Sequence, residues 1–248
     1  MILSRLMKAV REQNWFAVAL EFLIVILGVV IGFQVTTWNA ERTDRETEQI
    51  YLTRLHRDMQ LSVCRIQRER DNVAEWNNRA QSTLDALLLR DPDAVTDSGF
   101  ELVASTRVQT GSPFRATLNE LINGGRANII TNETLRAQIA ETDAELTSYD
   151  EYIQILVNAQ GTFLNEVHSR LRPSPGSVYR ITYDFEALAD DDVFLNSLGH
   201  ALRITDANLA WLGDMADVAD NLRIAVGTEL GLDVPDELDC DTLSGGTE

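Results

Sequence analysis

Residues 16–33, FAVALEFLIVILGVVIGF, carry one charged side chain, Glu21, in eighteen. A run of this length crosses a hydrocarbon layer about 30 Å thick as a helix, because a helix satisfies its own backbone where there is no water. Trp15 and Trp38 bracket the run, at the depth where indole rings favour the membrane interface. The run exceeds the apolar region of a cleavable leader, and Val35–Ala40 offers no small-residue pair at a cleavage point. An uncleaved signal anchor is therefore expected; a soluble core helix would rarely be apolar on every face. Arg5, Lys8 and Arg11 precede the span, which favours a cytoplasmic N-terminus, although Arg42 and Arg45 close behind weaken the bias. In a bacterial inner membrane that orientation places the chain from Asn39 onward in the periplasm.

The odd carboxylate has a setting. At about 100° per residue Glu21, Val25, Gly28, Gly32, Val35, Thr36 and Asn39 share one helical face. Gly28 and Gly32 make a GxxxG, which lets helices approach closely in lipid. Two readings stand side by side. Glu21 stays wet or protonated near the interface, or it joins the glycines in a packing face for a second copy or another membrane protein.

No glycine or proline occurs between Gly32 and Pro92, so one helix is expected to leave the bilayer and run on to Arg90. Leu52, Leu55, Met59, Ser62, Ile66, Val73, Trp76, Ala80, Leu84 and Leu87 recur near a 3.5-residue period, broken where Glu69 falls on the seam. Packing of this stripe against later helices of the same chain is preferred to a parallel coiled coil, because those helices also need a partner. A short helix is expected over 99–108. Another starts with Ser112 as N-cap and Pro113 at the first position and ends at Asn123-Gly124-Gly125. Asn132 caps a helix that can run from Glu133 to Arg172, with Leu135, Ile139, Thr142, Leu146, Tyr149, Tyr152, Ile153 and Leu156 on one side. Val178–Tyr183 alternates like a strand but reads as an extended connector, having no obvious partner. Asp190–Asp192 reads as an acid cluster at the start of a last long helix ending near Gly231. The fold class expected is all-α: one transmembrane helix continuing into an antiparallel bundle of long helices. Its parts are a basic segment 1–14, a span 15–38, a bundle 39–232 and an acidic tail 233–248.

A formal net charge of −18 with no basic face argues against nucleic acid as a partner. No P-loop, nucleotide glycine loop, HExxH or serine–histidine–acid array is visible, and His56, His168 and His200 are scattered. No catalytic residue, cofactor or metal site is therefore expected. Asp91, Asp93, Asp97 and Gly99 resemble a calcium loop only faintly, since Val95 occupies a ligand position. Cys64 and Cys240 form no CxxC. In the periplasm they could pair and pin the tail to the first helix; free or intermolecular thiols are the alternative.

Two stretches are distinctive: Glu21–Arg42, in which the apolar run leads to Gln34 and then Trp38-Asn39-Ala40-Glu41-Arg42, and Thr117–Ile139, TLNELINGGRANIITNETLRAQI. In this order they resemble the bacterial family known as domain of unknown function 6090. Glu120, Leu121, Ile122, Gly125, Ile130, Asn132, Leu135 and Arg136 occupy the positions of its mid-chain motif. The resemblance covers about a quarter of the chain and implies a single-pass membrane protein without an assigned activity. Read physically, Gly125, Ile130 and Asn132 make a corner: a glycine ends one helix, an isoleucine packs, and an asparagine caps the next. Such a corner fixes bundle geometry or presents a recognition feature. The leading functional expectation is a membrane-anchored interaction or assembly module, bound to the lipid bilayer and to a second copy or a membrane partner. The alternative is a periplasmic ligand-sensing input domain acting through a partner subunit.

Overall fold

Helix α1 spans Trp15–Leu89 without a break. It belongs to a computed structural model that describes residues 15–95, 99–235 and 238–240. The basic segment 1–14 and Asp97 of the acidic turn lie outside the described residues. By contacts the chain divides after Gln49 into two units.

In the first unit the described residues all belong to α1. Apolar side chains from Leu20 to Trp38 are exposed along it. Along its polar continuation the Thr37 and Thr43 hydroxyls donate to the carbonyls of Phe33 and Asn39, and Arg42 pairs with Glu46 at 2.9 Å.

From Ile50 on, α1 is one of three long helices. After it come α2 (Phe100–Ala104), α3 (Ala116–Ile122), α4 (Glu133–His168), strands β1 (Arg172–Ser174) and β2 (Ser177–Thr182), α5 (Phe185–Ala189) and α6 (Asp192–Glu229). Helices α4 and α6 run antiparallel, so Tyr149 meets Trp211 and Phe163 meets His200. This is the all-α bundle that the periodicity implies. The α1 stripe faces inward at Leu52, Leu55, Met59, Ile66, Val73, Ala80, Leu84 and Leu87, while Asn77 takes the buried place beside a half-buried Trp76.

The core falls into two apolar clusters. One gathers Tyr51–Ile66 of α1 with Leu118, Leu121, Ile130, the first half of α4 and Leu212–Val226 of α6. The other joins Ala80–Leu87 to Leu102, Val167, Leu171, Leu188 and Phe194–Leu202. Between them the segment after α2 crosses α6 in non-helical conformation. Its backbone groups would be unsatisfied in the interior without partners. Asn208 supplies both, accepting from the Gln109 N–H at 2.8 Å and donating to the Gln109 carbonyl at 2.9 Å. The Thr205 hydroxyl donates to the Ser105 carbonyl at 2.5 Å.

Three local expectations are corrected. Residues 177–182 are a strand, paired antiparallel with β1 in a hairpin whose register places Arg172 opposite Thr182. The partner was hidden because β1 is three residues long and contains Pro173. Ser112 does not cap α3: it has φ +37°, and the helix starts four residues later, at Ala116. Donors near that start are satisfied by α1 instead. Ser62 Oγ accepts from Phe114 N–H at 2.7 Å and Asp58 from Thr117 N–H at 3.1 Å. Glu69, which breaks the α1 stripe, accepts from Gly111 N–H at 3.0 Å in the same way. The third concerns the tail. Val234 lies against Gly227, Pro235 offers its carbonyl to Arg223 at 3.0 Å, and Leu238 packs on the first cluster. The bundle thus includes part of 233–248; residues 241–248 lie outside the described residues.

Candidate functional site

Three sets of residues single themselves out in the sequence, and the structure treats them differently. On the apolar span, Glu21, Gly28 and Gly32 lie on α1 with Val25 and Val35 on the same side, both more than half exposed. A Cβ built on Gly28 or Gly32 meets nothing within 4 Å. That face is open along a helix long and apolar enough to cross a membrane, with none of its most apolar window buried.

The mid-chain corner is assembled from its motif residues and from α1. Glycines end α3 for two reasons. Gly125 takes φ +66°, in the left-handed region, and Arg126 N–H returns to the Leu121 carbonyl at 2.9 Å. A Cβ on Gly124 would stand 2.3 Å from the Glu120 carbonyl oxygen. Ile130 is fully buried with Leu118, Leu121 and Leu135. Asn132 Oδ1 accepts from the N–H groups of Thr134 and Leu135 at 3.0 and 3.2 Å, and its Nδ2 donates to Glu229 of α6 at 2.7 Å. Arg136 donates back to the Ile130 carbonyl at 2.9 Å.

Glu120 ties this corner to α1. It accepts from the Tyr51 hydroxyl at 2.5 Å, from Arg54 at 3.0 Å and from Arg126 at 2.8 Å, while Arg126 also donates to the Tyr51 oxygen. The Tyr51 hydrogen bond foremost, then the neighbouring guanidinium groups, hold the Glu120 carboxyl below its ordinary value, and the Tyr51 contact raises Arg126. Each polar motif side chain is thus engaged within the chain, which makes the corner a joint. Tyr51 and Arg54 were invisible as partners: they are 69 and 66 residues from Glu120, and nothing local marks them.

The cysteines are joined. Cys64 of α1 and Cys240 form a disulfide with 5.3 Å between their Cα atoms. A further feature is one the sequence did not announce. Arg223 is fully buried, with Nε on Asp220 at 2.5 Å and a second nitrogen on Pro235. Burial first, and Arg223 second, lower the pKa of nearby His56. His168 is lowered too, by burial and then Arg107, and its Nε2 is 3.0 Å from the Thr106 hydroxyl. His200 stacks on Phe163.

A polar cleft of 770 Å³ lies where β2 meets α5, lined by Arg170, Arg172, Thr182, Tyr183 and Asp191 among others. Its best-placed cation is taken. Arg170 Nε donates to Asp191 at 2.5 Å and Nη1 to Glu166 at 2.8 Å, which lowers Asp191 as it caps α6. Among the described residues no three histidine, cysteine or acidic side chains are gathered to hold a metal ion. No family model, curated protein or solved structure matches the chain.

Proposed function

We propose that this protein is a single-pass, membrane-anchored helical module that assembles through its apolar span, with the N-terminus in the cytoplasm and the bundle in the periplasm of a bacterial cell. The observation that carries the reading is the face holding Glu21, Gly28 and Gly32 on a helix whose most apolar window is not buried. In lipid no hydrophobic effect drives two helices together, so close backbone approach and polar contacts decide where they meet. A glycine pair supplies the approach. A carboxyl group at Glu21 gains a partner that lipid cannot offer. The two motifs resemble a family of single-pass membrane proteins, which supports the anchor and no particular activity.

Helix association in a bacterial two-hybrid assay tests this, with topology set separately by a reporter fused after Glu248. Gly28→Ile and Glu21→Leu should each weaken association, while Val30→Leu on the opposite face should not. If both seam variants associate like the parent, the span is an anchor only. The cleft beside β2 favours a second reading, a ligand-sensing domain that works through a partner subunit. A thermal-shift screen of small metabolites that moves no midpoint would eliminate it.

A further inference from the structure

The groove between α4 and α6 has a chemistry unlike the rest of the bundle. Neither lysine nor arginine occurs on α4 after Arg136, nor on α6 between Arg203 and Arg223. Several acids in this stretch are taken up internally: Asp143 and Asp150 by Arg115, Asp206 by Asn77, Asp220 by Arg223. Glu141, Glu145, Asp214 and Asp217 instead stand exposed along the two rims. Between them lie rings. Tyr152 stacks on Trp211 at 4.3 Å and 18°, and Tyr149 meets Trp211 edge-on at 5.5 Å. Burial, with Asp214, Glu145 and Asp217 facing it, raises the Tyr149 hydroxyl. Tyr152 is 44% exposed and Ile155 is 61% exposed. Next to the rings runs a groove of 540 Å³ lined by Glu141, Glu145, Val218 and Ile224 among others.

Charge narrows what can occupy this face. A second copy meeting it across a two-fold axis would set the same carboxylates against themselves, in a chain of formal net charge −18. Anionic lipid and nucleic acid meet the same repulsion. A lone organic cation finds no cage, because the stacked Tyr152 and Trp211 leave no slot between them. An extended cationic ligand meets both demands at once: its apolar side chains cover Tyr152, Ile155 and Val218, and its cations reach the acidic rims and ring faces.

We propose that the α4–α6 groove docks an arginine- or lysine-rich amphipathic segment of a partner protein, with Tyr152 and Trp211 as the apolar anchor and Glu141, Glu145, Asp214 and Asp217 as the rims. This docking does not rest on association of the membrane span. The full chain in zwitterionic micelles, titrated with a synthetic arginine-rich amphipathic peptide, tests it. Amide exchange should slow from Gln138 to Ile155 and from Trp211 to Ile224. The double variant Glu145→Lys, Asp214→Lys should bind about tenfold more weakly, and Tyr152→Ala should weaken binding at unchanged net charge. Asp85→Lys with Asp93→Lys changes the net charge equally around the C-terminal end of α1, beside the second apolar cluster, and should leave affinity within about twofold. Equal losses in the two double variants would mean bulk attraction and overturn the proposal. Protection elsewhere, no protection, or protection that appears with protein concentration alone would overturn it too.

Discussion

Breaking the Cys64–Cys240 bond should be the most damaging single covalent change to the bundle. The two residues are 176 apart, so the bond closes a loop embracing most of the chain. Loop-closure entropy for that length makes the unfolded state less favourable by about 5 kcal/mol at 25 °C. For a domain near 200 residues each kcal/mol shifts the midpoint by about 2–4 °C, so the ceiling is about 10–20 °C. The tail limits how much of this is realised. While Val234, Pro235 and Leu238 keep their contacts, the reduced native state stays as ordered as the oxidised one and the full effect appears. If the tail detaches, the native state regains freedom and the loss is smaller. The assay is urea unfolding of full-length protein in micelles, followed by circular dichroism, for the parent, the reduced parent and Cys64→Ser with Cys240→Ser. The reduced parent and the double variant should coincide and lie well below the oxidised protein. Coincidence of all three curves, or two free thiols in non-reducing mass mapping of the unreduced protein, would refute the reasoning.

Ile130→Ala should cost about 2–5 kcal/mol, the range for truncating a fully buried isoleucine, and should leave span association in the two-hybrid assay unchanged. Gly227→Ala places a Cβ 2.4 Å from Val234 Cγ2 and 3.0 Å from His56 Nε2, so it should push the tail off and destabilise by about 1–3 kcal/mol, read as faster proteolysis after Gly231. Stability should fall as pH drops below the ordinary imidazole value of about 6.5. His56 and His168 have lowered values in the folded chain, so the unfolded state binds protons first. Urea midpoints at successive pH values should flatten there in His56→Gln with His168→Gln. Glu120 acts in a lower window: its depressed carboxyl stabilises above the ordinary carboxylate range and that contribution goes as pH falls through its folded value, so Glu120→Gln should lose the more acidic part of the slope.

Much of this molecule is local in origin and could be read in one dimension. The apolar run, the glycine pair and the uninterrupted helix to Leu89 follow from composition and spacing, because helices depend on neighbours three and four residues away. The Asn132 cap and the Gly125 stop are local for the same reason. What tertiary structure alone decided involves distant partners. Ser112 and Pro113 carry a helix-start signal, yet Ser62, Asp58 and Glu69 of α1 hold the backbone there, and they move the start to Ala116. Tyr51 finds Glu120, Cys64 finds Cys240, Pro235 covers Arg223, and Trp211 gathers two tyrosines, each across many residues of chain. Periodicity states which face of a helix is apolar; which side chains meet is set by the packing of whole helices, whose register no short window of sequence contains.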